Sequence, residues 1–129
     1  MKNAWIPLLM LLAIPGCKVP AFIQEGTKDG VTVSYRWSHR PGYPSELLLK
    51  IANASGYAQH VKLGLDVSFQ TFTVEELSAD TCIPAGRVFN GKLNGIYFIP
   101  RNLTPEQAAS PDTQVQLSVF DTERMDGCP

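Results

Sequence analysis

The sequence predicts an all-β domain, a two-layer antiparallel β-sandwich of about six or seven strands with one or two single-turn helices. Three observations predict it. Apolar residues recur at every second position in most segments, turn-forming residues separate these segments, and no segment has the 3.6-residue period of a long amphipathic helix. A strand that alternates in this way buries one face and exposes the other, so two such sheets stack with their apolar faces together.

The strands follow from this alternation in chain order. The clearest pattern lies in residues 60–70, where every odd-numbered position from Val61 to Phe69 is apolar and every even-numbered position is polar or glycine. Residues 46–52 are more uniformly apolar, which is typical of a central strand. The predicted strands cover residues 31–38, 46–52, 60–70, 88–89, 92–99 and 114–119.

Two short helices and one turn complete the prediction. Thr73 precedes a glutamate at capping-box spacing, which predicts a single helical turn over residues 74–78. Thr104 precedes a proline at the first helical position and a glutamine at the third, which predicts a second short helix that ends at Ser110-Pro111. Asn94-Gly95 predicts a tight hairpin or a bulge inside its strand.

The N-terminal segment has the features of a targeting signal. Lys2 supplies a positive charge, an apolar run over residues 4–14 follows, and Ile14-Pro15-Gly16-Cys17 ends the segment. The run is too short to span a bilayer, which needs about 20 apolar residues. The segment resembles a bacterial lipoprotein signal peptide, although Pro15 departs from the usual small residue. The resemblance implies that residues 1–16 are removed and that Cys17 carries the acyl chains.

The resemblance also implies a domain organisation and a location. Residues 17–29 would form a lipidated tether, and residues 30–129 would form the β-sandwich domain. Acyl chains on Cys17 would hold the protein at the membrane. The tether lacks the acidic tract of some surface-exported lipoproteins, which favours the outer membrane with the domain facing the periplasm. The alternative is ordinary signal-peptide cleavage after Ala21, which would discard Cys17 and release a soluble domain.

Either cleavage leaves two cysteines, Cys82 and Cys128. An oxidising compartment permits a disulfide between them, and a signal peptide delivers the chain to such a compartment. We therefore predict a structural bridge that fixes the C-terminus, the alternative being two free thiols. The alternating strands resemble those of immunoglobulin-like and fibronectin-like sandwiches, in which Trp37 would be the central core residue. A small barrel is the competing architecture.

Composition and motifs exclude several classes of function. From Cys17 onward ten basic and twelve acidic residues give a net charge of about −2, with no basic stripe for nucleic acid. The sequence contains no motif of a metal site, catalytic nucleophile or phosphate-binding loop, so we assign no catalytic residue, no metal ligand and no cofactor. His39 and His60 are expected to be surface histidines. A Ser-His-Asp triad is the remaining enzymatic possibility, because its geometry is spatial.

Two groups of residues are candidates for binding. If the disulfide forms, two acidic groups approach one another and could hold a calcium ion weakly; these are Glu75, Glu76 and Asp80, and Asp121, Glu123 and Asp126. Arg40, Tyr43 and Tyr57 could form an aromatic and cationic patch on loops. We therefore expect a non-enzymatic, lipid-anchored module that binds an envelope protein. The alternative is a periplasmic lipoprotein that binds a small molecule, a carbohydrate or a metal.

Overall fold

The computed structural model describes residues 21–129, so the signal segment 1–16, Cys17 and the tether as far as residue 20 lie outside the described residues. One short α-helix, α1 (Pro105–Ala108), and one 3₁₀-helix (Lys92–Asn94) lie among eight strands. The strands within the described range are β1 (Ile23–Lys28), β2 (Val31–Ser38), β3 (Glu46–Asn53), β4 (Ala58–Phe69), β5 (Phe72–Ile83), β6 (Val88–Asn90), β7 (Tyr97–Phe98) and β8 (Thr113–Met125).

The strands form two antiparallel sheets, and the predicted all-β sandwich is confirmed. Sheet A has the order β1-β2-β3, and both β6 and β7 pair with the free edge of β3. Sheet B has the order β5-β4-β8. This connectivity is that of an immunoglobulin-like sandwich, in which β2, β3 and β6/β7 take the positions of strands A, B and E, and β5, β4 and β8 those of C′, C and F. Strand β1 is an addition at the edge of sheet A.

The core lies between the alternating faces of β3 and β4. Leu47, Leu49 and Ile51 of β3 are fully buried, as are the odd-numbered residues from Val61 to Val67 of β4. The prediction for residues 60–70 is confirmed, since β4 alternates between core and outer face along its length. The strands predicted at 31–38 and 46–52 are also confirmed, because the register of β2 and β3 is unbroken from Val31↔Asn53 to Ser38↔Glu46.

A buried polar corner joins the two sheets at one end of the sandwich. Asn53 and Gln59 are each only 1% exposed. The Asn53 amide donates to the carbonyl oxygens of Tyr57 and Ile83, both at 3.0 Å, and accepts from the Ser55 hydroxyl at 2.6 Å. Gln59 donates to the Asp29 carbonyl oxygen at 2.7 Å. Because every buried amide here has partners, the corner closes the core without an unpaired polar group.

The two ends of the sandwich carry different loops, which give each end its name here. The disulfide end holds the polar corner, the loops 54–57 and 84–87, and the Cys82–Cys128 bridge, whose Cα atoms are 5.5 Å apart. The Tyr43 end holds the start of β1, the loop 39–45, the turn 70–71 and the segment 99–112. Strands β4, β5 and β8 run the full length between the two ends.

The predicted helical turn over residues 74–78 is wrong. These residues belong to β5, which pairs with β4 from Phe69↔Phe72 to Gln59↔Ile83. The capping-box spacing at Thr73 was misleading, because twelve residues of ladder with β4 outweigh one turn of helix. Cys82 consequently lies within a strand.

The strand predicted over residues 92–99 is also wrong in its first half. Lys92–Asn94 form a 3₁₀-helix that ends at Gly95, whose φ of 71° lies in the left-handed region. Only Tyr97 and Phe98 pair with β3. The short helix at Thr104 is confirmed, with both hydrogen bonds of the capping box present.

Part of the segment expected to be a tether is folded. Ile23–Lys28 form β1, which pairs with β2 from Ile23↔Tyr35 to Lys28↔Val31. The register between β1 and β2 shifts between Gln24 and Gly26, so the residues of β1 do not show a regular alternation of apolar and polar positions. The sheet therefore starts seven residues before the expected boundary at residue 30.

Trp37 does not occupy the centre of the core. It lies near the Tyr43 end, half-buried, with its ring stacked on that of His39 at a centroid distance of 5.9 Å. Leucine and valine side chains of β3 and β4 fill the centre instead. The expectation of a central tryptophan is therefore wrong, because Trp37 stands at the end of its strand.

Candidate functional site

The outer face of sheet B gathers most of the charged residues singled out in the sequence. Residues that pair across an antiparallel register point to the same face of the sheet. The residues of β5 and β8 that pair with the outward-pointing residues of β4 therefore also point outward. Lys62 lies between Asp80 of β5 and Asp121 of β8. We call this surface the acidic face; its charged members are His60, Lys62, Asp66, Glu76, Asp80, Asp121 and Glu123.

The acidic face carries a net negative charge. Five carboxylates stand against one lysine, which gives −4 with His60 neutral. His60 Nε2 contacts the Asp80 carboxylate, so the histidine partly offsets that group when it is protonated. All but Asp66 and His60 are exposed, and solvent screens their mutual repulsion.

The outer face of sheet A has the opposite sign. Arg36 and Lys50 lie over the Phe22 ring at 5.1 and 5.7 Å from its centroid, and Lys92 pairs with Glu46 at 2.8 Å. These three cations and the Glu46 carboxylate give the outer face of sheet A a net charge of +2, so the two broad faces of the sandwich are oppositely charged. A partner with a basic surface would therefore be attracted to sheet B and repelled from sheet A.

A depression lies in the middle of the acidic face, over Gly64. A β-bulge places Ser118 as an extra residue in β8, since Gly64 pairs with Val119 but Leu65 pairs with Leu117. A Cβ at position 64 would lie 3.0 Å from Ser118 Oγ and from Val119 Cβ, so a larger residue there would require these two side chains to shift. The depression has a volume of about 480 Å³.

The bulge also turns Val119 outward. A strict period of two would place Val119 on the same face as Val115 and Leu117, but beyond Ser118 the faces exchange, and Phe120 packs against the core instead. Val119 is 40% exposed at the centre of the acidic face. An apolar centre within a charged rim is the common anatomy of a protein-binding surface.

The two acidic groups of the sequence do not come together as expected. Strand β4 lies between β5 and β8, so Lys62 and His60 separate the carboxylates of Asp80 and Glu123. Glu75 is not on the acidic face, because its carboxylate accepts hydrogen bonds from the backbone N–H groups of Arg101 and Asn102, the latter at 2.9 Å. Within residues 21–129, no three His, Cys, Asp or Glu side chains are grouped so as to hold a metal ion.

The predicted aromatic patch is divided between the two ends of the sandwich. The Arg40 guanidinium lies 5.4 Å from the centroid of the Tyr43 ring, as the patch requires. Tyr57 is at the disulfide end, under the Arg124 guanidinium at 4.5 Å. The prediction of one patch is wrong, because the whole length of β3 separates the two loops.

The two histidines do not meet either. His39 forms a hydrogen bond between Nδ1 and the Ser45 hydroxyl at 2.7 Å at the base of the loop 39–45. His60 lies on the acidic face, in the other sheet. A cleft of about 740 Å³ that is open to solvent lies between the loop 39–45 and Pro105, Glu106 and Ala109.

Glu25 and Tyr35 are partly buried titratable groups away from the acidic face. Burial raises the pKa of the Glu25 carboxyl, and a hydrogen bond from the Leu117 backbone offsets part of this rise. Burial also raises the pKa of Tyr35, and the negative charge of Glu25 adds to the effect. Both groups lie where β1 approaches β8, so their shifts report packing at this edge of the sandwich.

Neither a protein family model, nor a curated protein, nor a solved structure matches this chain. In the part of the chain that the structure describes, none of the helices has the length and apolar character needed to cross a bilayer. The acidic face is therefore the candidate functional site of this fold.

Proposed function

We propose that this protein is a non-enzymatic lipoprotein of the bacterial cell envelope, anchored by acyl chains on Cys17, whose acidic face binds a basic surface of a partner protein. The location most consistent with the signal segment is the outer membrane, with the domain facing the periplasm. The observation that carries the binding role is the exposed Val119 at the centre of the acidic face, over the Gly64 depression.

A protein partner fits this surface better than a small ligand does. Small-molecule sites are concave and enclose most of the ligand. The depression over Gly64 is open, and the charged side chains around it are distributed over three strands instead of converging on one point. A flat face with an apolar centre is suited to another flat face, and the surrounding carboxylates would select a basic one.

The anchor rests on the sequence of the signal segment. The charged start, short apolar run and Gly16-Cys17 resemble a lipoprotein signal, and the thiol of Cys17 is the atom that would be acylated. Two or more acyl chains make membrane attachment stable, since each buried CH₂ contributes about 0.8 kcal/mol. No other part of the proposed function requires a membrane segment.

Acylation should depend on Cys17. Cys17→Ser removes the acceptor thiol, so the protein should incorporate no fatty acid and should be unprocessed or mislocalised. Cells labelled with an alkyne fatty acid would show this as loss of the labelled band. The neighbouring variant Lys18→Ser keeps the thiol and should label like the wild type. Equal labelling of the wild type and Cys17→Ser, or a mature protein that starts at Phe22, would contradict the lipid anchor.

Partner binding should depend on the charge of the acidic face. A photo-crosslinking residue at Gln116, which is exposed beside Asp66, should give an adduct in intact envelopes, whereas one at Gln24 on sheet A should give none. The double variant Asp121→Lys/Glu123→Lys should weaken binding about tenfold, since each exposed charge contributes up to roughly 1 kcal/mol.

The control reverses two exposed carboxylates at the Tyr43 end. Glu106→Lys/Asp112→Lys changes the net charge by the same amount but leaves the acidic face intact, so the Gln116 adduct should persist. The wild-type adduct should also decrease as salt is added. An adduct that is insensitive to reversal of Asp121 and Glu123 would contradict the proposed binding surface.

A further inference from the structure

Four of the eight large apolar side chains that are exposed in the described range lie at the Tyr43 end. Phe72 is 75% exposed at the tip of the β4–β5 hairpin, and Tyr43 is 63% exposed on the loop 39–45. Ile23 and Ile99 are exposed at the same end. At the disulfide end, within the described residues, Val88 is the only exposed side chain of this kind.

The hairpin tip that carries Phe72 is conformationally unusual. Gln70 and Thr71 connect β4 to β5 with φ values of 50° and 73°, which lie in the left-handed region. Two-residue hairpins of this type normally contain asparagine or glycine, and a β-branched residue there is strained. The strained turn places Phe72 at the last pair of the β4–β5 ladder, opposite Phe69, where three quarters of its surface stays exposed.

The same end is where the chain leads toward Cys17. Ile23 pairs with Tyr35 at the start of β1, so Phe22 emerges at the Tyr43 end. The five peptide units between Cys17 and Phe22 span at most about 18 Å. The twelve residues of β4 span about 40 Å. A lipid on Cys17 would therefore keep the Tyr43 end, and not the disulfide end, close to the bilayer.

We infer that the Tyr43 end rests on the bilayer surface, with Phe72, Tyr43, Ile23 and Ile99 inserted among the lipid headgroups. This inference rests on the proposed acylation of Cys17. Aromatic and aliphatic side chains at the tips of loops are suited to the interfacial layer, where apolar atoms leave water while the backbone stays hydrated. Charge does not add to the attraction, because Arg40 and Arg101 at this end are offset by Glu75, Glu106 and Asp112.

The inference assigns the orientation of the domain. With the Tyr43 end on the bilayer, the strands run roughly along the bilayer normal, and neither broad face of the sandwich lies on the membrane. The acidic face of sheet B is then open to the aqueous compartment. The rival orientation lays sheet A on the membrane, since Arg36, Lys50 and the 85%-exposed Leu93 could face anionic headgroups. The two orientations place different residues in lipid, which makes them distinguishable.

The test uses the mature protein, purified from cells after removal of the signal segment, in vesicles whose phospholipids carry bromine on their acyl chains. Bromine quenches tryptophan on contact, and the emission of the wild type, which retains Trp37, is subtracted as background. Phe72→Trp should lose most of its added emission and shift to the blue. Val88→Trp, at the disulfide end, and Leu93→Trp, on sheet A, should be unquenched. Quenching of Leu93→Trp without Phe72→Trp would overturn the inference in favour of the rival orientation.

Acylation of each variant is measured by mass in the same preparation, so that the two proposals fail separately. Acylated protein with unquenched Phe72→Trp would overturn the orientation and leave the anchor intact. Unacylated protein would overturn both. In lipid-free detergent micelles, a blue shift of Phe72→Trp that grows with protein concentration would show that a second copy covers this end, which would also overturn the inference.

Discussion

Truncation of Leu65 to alanine should lower the free energy of unfolding by about 2–5 kcal/mol. Leu65 is 1% exposed in the middle of β4, which pairs with both other strands of sheet B. Its side chain faces the apolar residues of β3 across the sandwich, so truncation leaves a cavity that the two sheets cannot fill by a local shift. Urea unfolding of the variant and the wild type measures the difference.

The neighbouring residue supplies the control. Asp66 lies on the outer face of the same strand, so Asp66→Ala tests the same backbone without touching the core. Its effect should stay within about 0.5 kcal/mol, as for other surface substitutions. Equal losses from Leu65→Ala and Asp66→Ala would show that the assignment of core and outer faces in β4 is incorrect.

Loss of the disulfide should have an effect of similar size. Cys82 and Cys128 are 46 residues apart, and the bridge restricts the unfolded chain by an amount equivalent to about 4 kcal/mol. Reduction, or the double variant Cys82→Ser/Cys128→Ser, should therefore lower the melting temperature markedly. The strands should survive at low temperature, because the alternating faces of β3 and β4 specify the sandwich without the bridge. Circular dichroism with and without reductant measures both effects.

Calcium and chelator arms complete that experiment. The carboxylates of β5 and β8 are separated by β4, so millimolar calcium should hardly change the melting temperature. A melting temperature that does not respond to reductant would show that the bridge does not restrict the unfolded chain as expected. A large rise with calcium would indicate a metal site on the acidic face and would place metal binding above protein recognition.

The strands at the centre of the fold could be predicted because their residues repeat with a period of two. In β4 the alternation is unbroken from Gln59 to Val67, and each odd-numbered side chain in that range is buried. Strand β3 is mostly apolar over Leu47–Ile51, since its inner face lies in the core and Leu48 on its outer face is covered by the segment around Gly91. Central strands carry a strong signal because burial on one or both sides restricts their composition.

Two edge strands, β1 and β5, could not be predicted, because their composition is less restricted, whereas the predictions at 88–89 and 114–119 are confirmed by β6 and β8. In β5 the inward residues include Ala79 and Thr81, while the outward ones are Glu76, Ser78 and Asp80, so no strong alternation in hydrophobicity remains. Because β5 contains few strongly apolar residues, the capping pattern at Thr73 was the stronger local signal and led to the prediction of a helical turn. Strand β1 carries an irregular register near Gln24, which breaks the period within six residues.

The candidate site was predictable in its members but not in its arrangement. Asp80, Asp121 and Glu123 were recognised as acidic groups near the two cysteines, and the disulfide does join β5 to the C-terminal residues that follow β8. The sequence gives no sign that β4 inserts Lys62 between them. The outward turn of Val119 depends on one extra residue at Ser118, and a smooth run of alternating residues does not reveal where a bulge lies.

The buried corner at Asn53 has a consequence for producing this protein in eukaryotic cells. Asn53-Ala54-Ser55 is an acceptor pattern for N-linked glycans, which are attached through the side-chain nitrogen. That nitrogen donates to the carbonyl oxygens of Tyr57, Ile83 and Pro84, so a chain modified there before folding could not close the end of its sandwich. Replacing Ser55 would remove the pattern but also the hydroxyl that bonds Asn53 and Gln59. A host without this modification is therefore the one in which the native sequence can fold.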